Sequence, residues 1–218
     1  MKLDAAYIFL IVYLFASVAK GQQSAINSDE YEKAIDTART VSNRRNRRVT
    51  TVIETRTRGR ITSTERHVEE HVPPNRERFV DTITSGDVTA TEEVIQIGRS
   101  GFQKKDSAPW VEWTGQPFRG IGPGSHFRCS EGLAELCSYT SVEAGLDGRI
   151  VRLISRVGEM NIGGLPARAA NKVWISGEGA LLKSEMLIRE GASKEWTKRI
   201  VSKWEYDPVG IEIKAPQF

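Results

Sequence analysis

Along residues 28–42 the apolar and small positions Tyr31, Ala34, Ile35, Ala38 and Val41 return every three or four residues, the stripe of an amphipathic helix. Asn27 or Ser28 can cap it. Glu30 stands three residues after Asn27 as a capping box requires, and Asp29, Glu30 and Glu32 load the first turn with negative charge. The basic group Arg44, Arg45, Arg47 and Arg48 lies at the other end, which also suits the helix dipole. After Arg48 the period falls to two. Val49, Thr51, Ile53, Thr55 and Thr57 take one side, and Thr50, Val52, Glu54, Arg56 and Arg58 the other. Gly59 interrupts this strand, and a second run from Arg60 toward Val72 stops at Pro73 and Pro74. Further strand-like runs cover residues 76–84, 89–97, 101–104, 138–143, 149–159, 172–176, 181–189, 196–206 and 211–214. Gly86-Asp87, Asp147-Gly148, Gly177-Glu178-Gly179 and Gly191-Ala192-Ser193 read as hairpin connections, so pairing should be antiparallel and mostly sequential.

Alternation also says which faces are buried. Trp196, Ile200, Trp204 and Tyr206 share one side of the late strand, against Thr197, Arg199, Val201, Lys203 and Glu205 on the other. In the preceding strand Leu182, Met186 and Ile188 lie opposite Lys183, Glu185 and Arg189. A sheet with one apolar and one wet face must be covered on the apolar side. The candidates are the N-terminal helix and the Gly-rich stretch from Gly120 to Cys137, where alternation stops. The expected fold is mainly β with helices (α+β), a curved antiparallel sheet under a helical cover.

The first 21 residues do not belong to that sheet. Ala5 to Ala19 is an unbroken apolar or small run between Lys2 and Lys20, the layout of a secretory signal peptide. As a helix those residues would span roughly 22 Å, short of the ~30 Å hydrocarbon core of a bilayer, so cleavage is the expected outcome. Small residues suit cutting before Lys20 or before Gln22. The organisation expected is a signal peptide at 1–21 and a single domain over 22–218, exported to a periplasmic or extracellular space. In such a compartment Cys129 and Cys137 are expected to form a disulfide. Residues eight apart on a helix lie ~12 Å from each other, too far for a bridge, so the bridge would exclude an unbroken helix between them. Over the whole chain 31 basic residues face 28 acidic ones, a net +3, which does not mark a nucleic-acid binder.

Four fragments resemble a known superfamily when taken in order. They are Asn75-Arg76-Glu77-Arg78-Phe79; Val94 to Gly98 with Gly101 to Lys104 and Trp110; Lys172 to Ile175 with Gly179, Leu182 and Lys183; and Trp204-Glu205-Tyr206 with Ile211 to Pro216. Together they resemble the LolA-like superfamily of exported bacterial proteins, over roughly Asp29 to Pro216. The resemblance implies an unclosed, strongly curved antiparallel half-barrel with a helical lid, whose concave side receives acyl chains or lipid tails. The reading that follows is a non-catalytic, soluble, exported binding protein that holds a lipid, a lipoprotein acyl chain or another hydrophobic ligand. Its candidate lining is Trp174, Met186, Ile188, Trp196, Ile200 and Trp204. The alternative is an envelope protein-interaction or sensor module on the same fold, with a protein partner. A monomer is expected, with no cofactor and no nucleic-acid partner.

Two motifs invite other chemistry. His67-Val68-Glu69-Glu70-His71 matches the HxxEH pattern, in which two histidines four apart on a helix hold zinc. The flanking Ile61-Thr62-Ser63-Thr64 and Pro73-Pro74 favour a strand, where the same imidazoles would stand ~13 Å apart. Neither zinc nor another metal is therefore expected. The piece Gly120-Ile121-Gly122-Pro123-Gly124-Ser125 lacks the Lys-Ser/Thr ending of a phosphate loop and reads as a connection. Ser125-His126 has no GxSxG elbow around it, so no catalytic residue is assigned.

Overall fold

The computed structural model describes residues 24–114, 137–162, 165–191, 193 and 195–217. Residues 1–21, expected as a signal peptide, the Gly-rich stretch with Ser125-His126, the expected lid and Cys129 lie outside the described residues; Cys137 lies inside them. Within them the single helix α1 (Ser28–Asn43) precedes most of a twelve-stranded sheet. Its strands are β1 (Ser24–Ala25), β2 (Arg47–Thr57), β3 (Arg60–Val72), β4 (Arg76–Ser85), β5 (Val88–Ile97) and β6 (Ser100–Lys105). They continue with β7 (Val111–Thr114), β8 (Ser138–Leu146), β9 (Arg149–Ile162), β10 (Leu165–Ile175), β11 (Leu181–Glu190) and β12 (Lys198–Tyr206). The spatial order is β1-β8-β9-β10-β11-β12-β2-β3-β4-β5-β6-β7. Two runs of sequential hairpins are thus joined where β12 pairs with β2, and every pair is antiparallel. The sheet curves and does not close, as the alternation and the resemblance predict.

Helix α1 begins on the expected capping box: Asn27 Oδ1 accepts from the Glu30 amide at 2.8 Å, and Glu30 Oε2 accepts from the Asn27 amide at 3.2 Å. Its buried stripe, Tyr31, Ile35 and Ala38, lies on Val49, Ile154, Val173, Ile175, Leu181 and Trp204. At its C-terminal end Ser42 is a buried polar junction. Ser42 Oγ accepts from the Leu181 amide at 3.0 Å and lies 2.7 Å from the Tyr206 hydroxyl, which donates to the Leu181 carbonyl at 2.6 Å. One serine thereby joins the helix to β11 and β12.

Several elements differ from the sequence expectation. A bulge between Trp174 and Ile175 pairs Ile175 with Leu181, which makes Leu182 the extra residue. Leu181, not Leu182, therefore enters the core under α1, although simple alternation groups Leu182 with Met186 and Ile188. Strand β12 starts at Lys198, so Trp196 precedes it, and β10 starts seven residues before Lys172. Residues 211–214 form no strand. After β12 the chain turns away at Asp207 (φ 49°) and Gly210 (φ 85°), and Ile211 and Ile213 pack on Ile95 and Phe102. Alternation reports which side chains are buried; it does not supply a ladder partner.

The outer face has its own organisation. Glu205, Arg48, Glu70, Arg78, Glu93 and Lys104 alternate in sign across six neighbouring strands, each within 2.7–3.7 Å of the next. Burial alone would raise the Glu93 pKa, but hydrogen bonds and charge from Arg78 and Lys104 hold it below the ordinary carboxylate value.

Replacing Ser42 with Ala leaves the buried Leu181 amide without its acceptor. The expected loss is about 1–3 kcal/mol of stability, read as a lower midpoint in urea unfolding with an unchanged slope.

Candidate functional site

Cross-strand register assigns each residue to a face. On the concave side one row runs Trp204, Val49, Glu69, Phe79, Val94, Gln103. The next runs Ile154, Val173, Ser184, Ser202, Thr51, His67, Asp81, Glu92. A third runs Arg156, Asn171, Met186, Ile200, Ile53, Glu65. The face is thus polarised along the rows. Toward β9–β12 it is mostly apolar or small, with Arg156 and Asn171 as buried polar exceptions, and from β3 onward it carries carboxylates and imidazoles.

The apolar part divides into two clusters. One lies under α1. The other, Ala167, Ala169, Met186 and Ile188 with Ile200 against it, contains no residue of the helix. Its floor is made of small side chains, since Ala169 pairs with Gly158 on one side and Ile188 on the other. A Cβ at Gly158 would collide with the Cys137 sulfur, so the glycine also makes the room that Cys137 occupies.

Of the sequence candidates, Met186, Ile188 and Ile200 come together in this second cluster, with Met186 directly opposite Ile200. Trp204 shares the face but pairs with Val49 beneath α1. Trp174 lies on the convex side, paired with Lys183, whose ammonium sits 4.7 Å from the ring centroid. Trp196 is 38% exposed and lies in a shallow cleft beside Arg56 and Arg58, apart from the others. The sequence reading missed Ala167, Ala169, Asn171 and Arg156. The signal for three of these was present: residues 167, 169, 171, 173 and 175 alternate with Arg168, Lys172 and Trp174, but alanines at the first two positions obscured the run.

Buried hydrogen bonds cross the concave face, at Thr51 and Ser202 beside the acidic wall and at Asn171 and Arg156 beneath α1. Thr51 and Ser202 are buried and 2.8 Å apart. Asn171 Nδ2 donates to the Tyr31 hydroxyl at 3.1 Å, and buried Arg156 bonds Glu32 of α1 at 2.7 Å while its guanidinium stacks 4.7 Å from the Tyr31 ring. On the wall Arg47 pairs with Glu69 at 2.7 Å, both sides nearly buried. The HxxEH segment is strand β3, as its flanks predict, and each histidine has its own acid on β4. His67 Nδ1 is 2.7 Å from Asp81, and His71 Nδ1 is 3.2 Å from Glu77. Among the described residues no three His, Cys, Asp or Glu side chains converge as a metal ion would need. On the other flank of α1 a cleft of about 910 Å3 opens toward β8 and β9, with Ile26, Ala34 and Ile175 inside it and Lys33, Glu143 and Arg152 at its margin.

The hydrogen bond to Asp81 raises the His67 pKa above its ordinary value, against the opposite pull of burial. A raised folded pKa means that the pair's contribution is complete below about pH 6.5 and is lost as pH rises through the folded value. The stability difference between the protein and its His67→Gln variant should therefore be larger at pH 5.5 than at pH 9. Urea midpoints across that range check it.

No family model matches the chain, and no curated protein matches it. Three solved structures are similar to it. LprF from Mycobacterium bovis has 11% identity, covers 87% of this chain and 98% of its own, and has a TM-score of 0.47. A structure assigned to an outer membrane lipoprotein-sorting protein domain from Vibrio parahaemolyticus has 12% identity, coverage of 83% and 93%, and a TM-score of 0.30. The LolA superfamily protein NE2245 from Nitrosomonas europaea has 11% identity, coverage of 80% and 90%, and a TM-score of 0.30.

Proposed function

We propose that this protein is an exported, non-catalytic carrier that holds an acyl chain or similar apolar ligand on the concave face of the sheet. The observation that carries the reading is the second concave cluster. Ala167, Ala169, Met186, Ile188 and Ile200 make an apolar strip that no residue of α1 joins, with Ala167, Ala169, Met186 and Ile188 buried and a floor of alanine and glycine. Each methylene buried there contributes ~0.8 kcal/mol, so a short stretch of chain suffices for useful affinity without covalent chemistry. The carboxylates and imidazoles from β3 onward bound the strip on one side, where an apolar chain would give way to a polar end.

The proposal includes removal of residues 1–21 on export and a bridge from Cys129 to Cys137, whose sulfur lies beside Gly158. No helix among the described residues is long and apolar enough to cross a membrane.

Native mass spectrometry of protein recovered from exporting cells should show adducts whose masses differ by methylene units. Ala169→Phe, which fills the floor, should remove them while the circular dichroism spectrum is retained. Protein that carries no adduct and yields no extractable lipid would overturn the reading. Intact mass should also show the loss of 1–21, with alkylation at the two cysteines only after reduction; free thiols in the exported form would exclude the bridge.

A further inference from the structure

On the convex face, away from the proposed acyl strip, the tip of the β8–β9 hairpin and strands β11 and β12 bound a pocket of about 420 Å3. We propose that this pocket binds the phosphate group of a phosphate ester. Its cations are Lys183, Lys203 and Arg149, and Leu146, Leu182 and Trp204 supply its apolar lining.

Three observations single it out. Lys183 and Lys203 are direct cross-strand partners, the position at which like charges oppose each other most strongly in an antiparallel pair. Among the described residues neither lysine, nor Arg149, has an ion-pair partner. Toward β2–β6 on the same face Arg48, Glu70, Arg78, Glu93 and Lys104 alternate in sign, whereas across β10–β12 like charges face each other at Lys183 and Lys203 and again at Arg168 and Arg189. Second, Lys183 is positioned by the Trp174 ring, 4.7 Å away. Third, the bulge lies at this place. The extra residue it inserts, Leu182, lines the pocket, and bulges recur where a side chain must be re-aimed at a site.

The charge balance defines the ligand. Glu205 also lines the pocket but lies 3.7 Å from Arg48, which engages it, and Asp147 stands at the hairpin turn with φ 49°. Lys183, Lys203 and Arg149 outnumber the carboxylates of Asp147 and Glu205 in the lining, and a phosphate ester supplies up to two negative charges and several acceptor oxygens to the excess positive charge. The volume exceeds that of the phosphate alone, which leaves room for a small organic part against Leu146 and Leu182. The same chemistry is offered by a soluble phosphate ester and by a phospholipid headgroup. This site is independent of the acyl-chain reading, since no residue of the second concave cluster lines it.

The test uses the mature protein and its Lys203→Gln and Lys183→Gln variants in phosphate-free buffer. Without ligand, relief of the lysine pair should raise the melting temperature of each variant by about 1–3 °C. Glycerol 3-phosphate should stabilise the wild type saturably beyond sodium chloride of equal ionic strength, with the apparent affinity falling at least tenfold in either variant. Co-sedimentation of the wild type with phosphatidylglycerol vesicles, reversed by glycerol 3-phosphate, would assign a lipid headgroup. Saturable stabilisation without co-sedimentation would assign a soluble ester. The proposal is overturned if sodium chloride reproduces the stabilisation, or if the variants are no more stable than the wild type in the absence of ligand.

Discussion

An antiparallel sheet that curves without closing leaves its concave face with no second sheet to cover it, and the docking of α1 meets that constraint. Tyr31, Ile35 and Ala38 bury against side chains from five strands, β2, β9, β10, β11 and β12. The helix therefore spans the junction where β12 meets β2, the one pairing that joins the two hairpin series. Ser42 and Tyr206 close the same contact with hydrogen bonds to both backbone groups of Leu181. Loss of this contact would expose the apolar face and loosen the seam between the two halves of the chain together.

Because α1 covers only one band of the concave face, the rest is free to differ. The neighbouring band sets Met186, Ile188 and Ile200 beside the small residues Ala167, Ala169 and Gly158. Beyond β2 the same rows become acidic, with each charge matched locally: Arg47 to Glu69, His67 to Asp81, His71 to Glu77. Such local matching lets a curved, half-buried surface carry many ionisable groups without a strongly charged field. The outer face follows the same rule along the ladder from Glu205 to Lys104 and departs from it where Lys183 faces Lys203 and Arg168 faces Arg189.

Much of this was legible in the residues. The capping box and the stripe from Tyr31 to Val41 specified the helix, and alternation located most strands and both faces of β2, β11 and β12. It also separated the HxxEH segment from a helical zinc site, because Ile61 to Thr64 and the two prolines favour a strand. Met186, Ile188 and Ile200, three of the six candidates, come together because they lie in regular pairing. Where pairing is irregular the reading failed. The bulge exchanged Leu182 for Leu181, the late start of β12 left Trp196 outside, and alanines concealed the first half of β10.

The sequence alone determined local geometry and sidedness, since helix and strand periods are properties of consecutive side chains. Tertiary structure decided which apolar positions share a surface. Trp174 and Trp204 look equivalent as large apolar residues in strands, yet one supports a lysine on the outer face and the other fills the core under α1. Their faces follow from cross-strand register, Trp174 against Lys183 and Trp204 against Val49, set by pairing between segments of the chain. The same pairing brought Lys183 opposite Lys203, a relation between two strands that the composition of neither one contains.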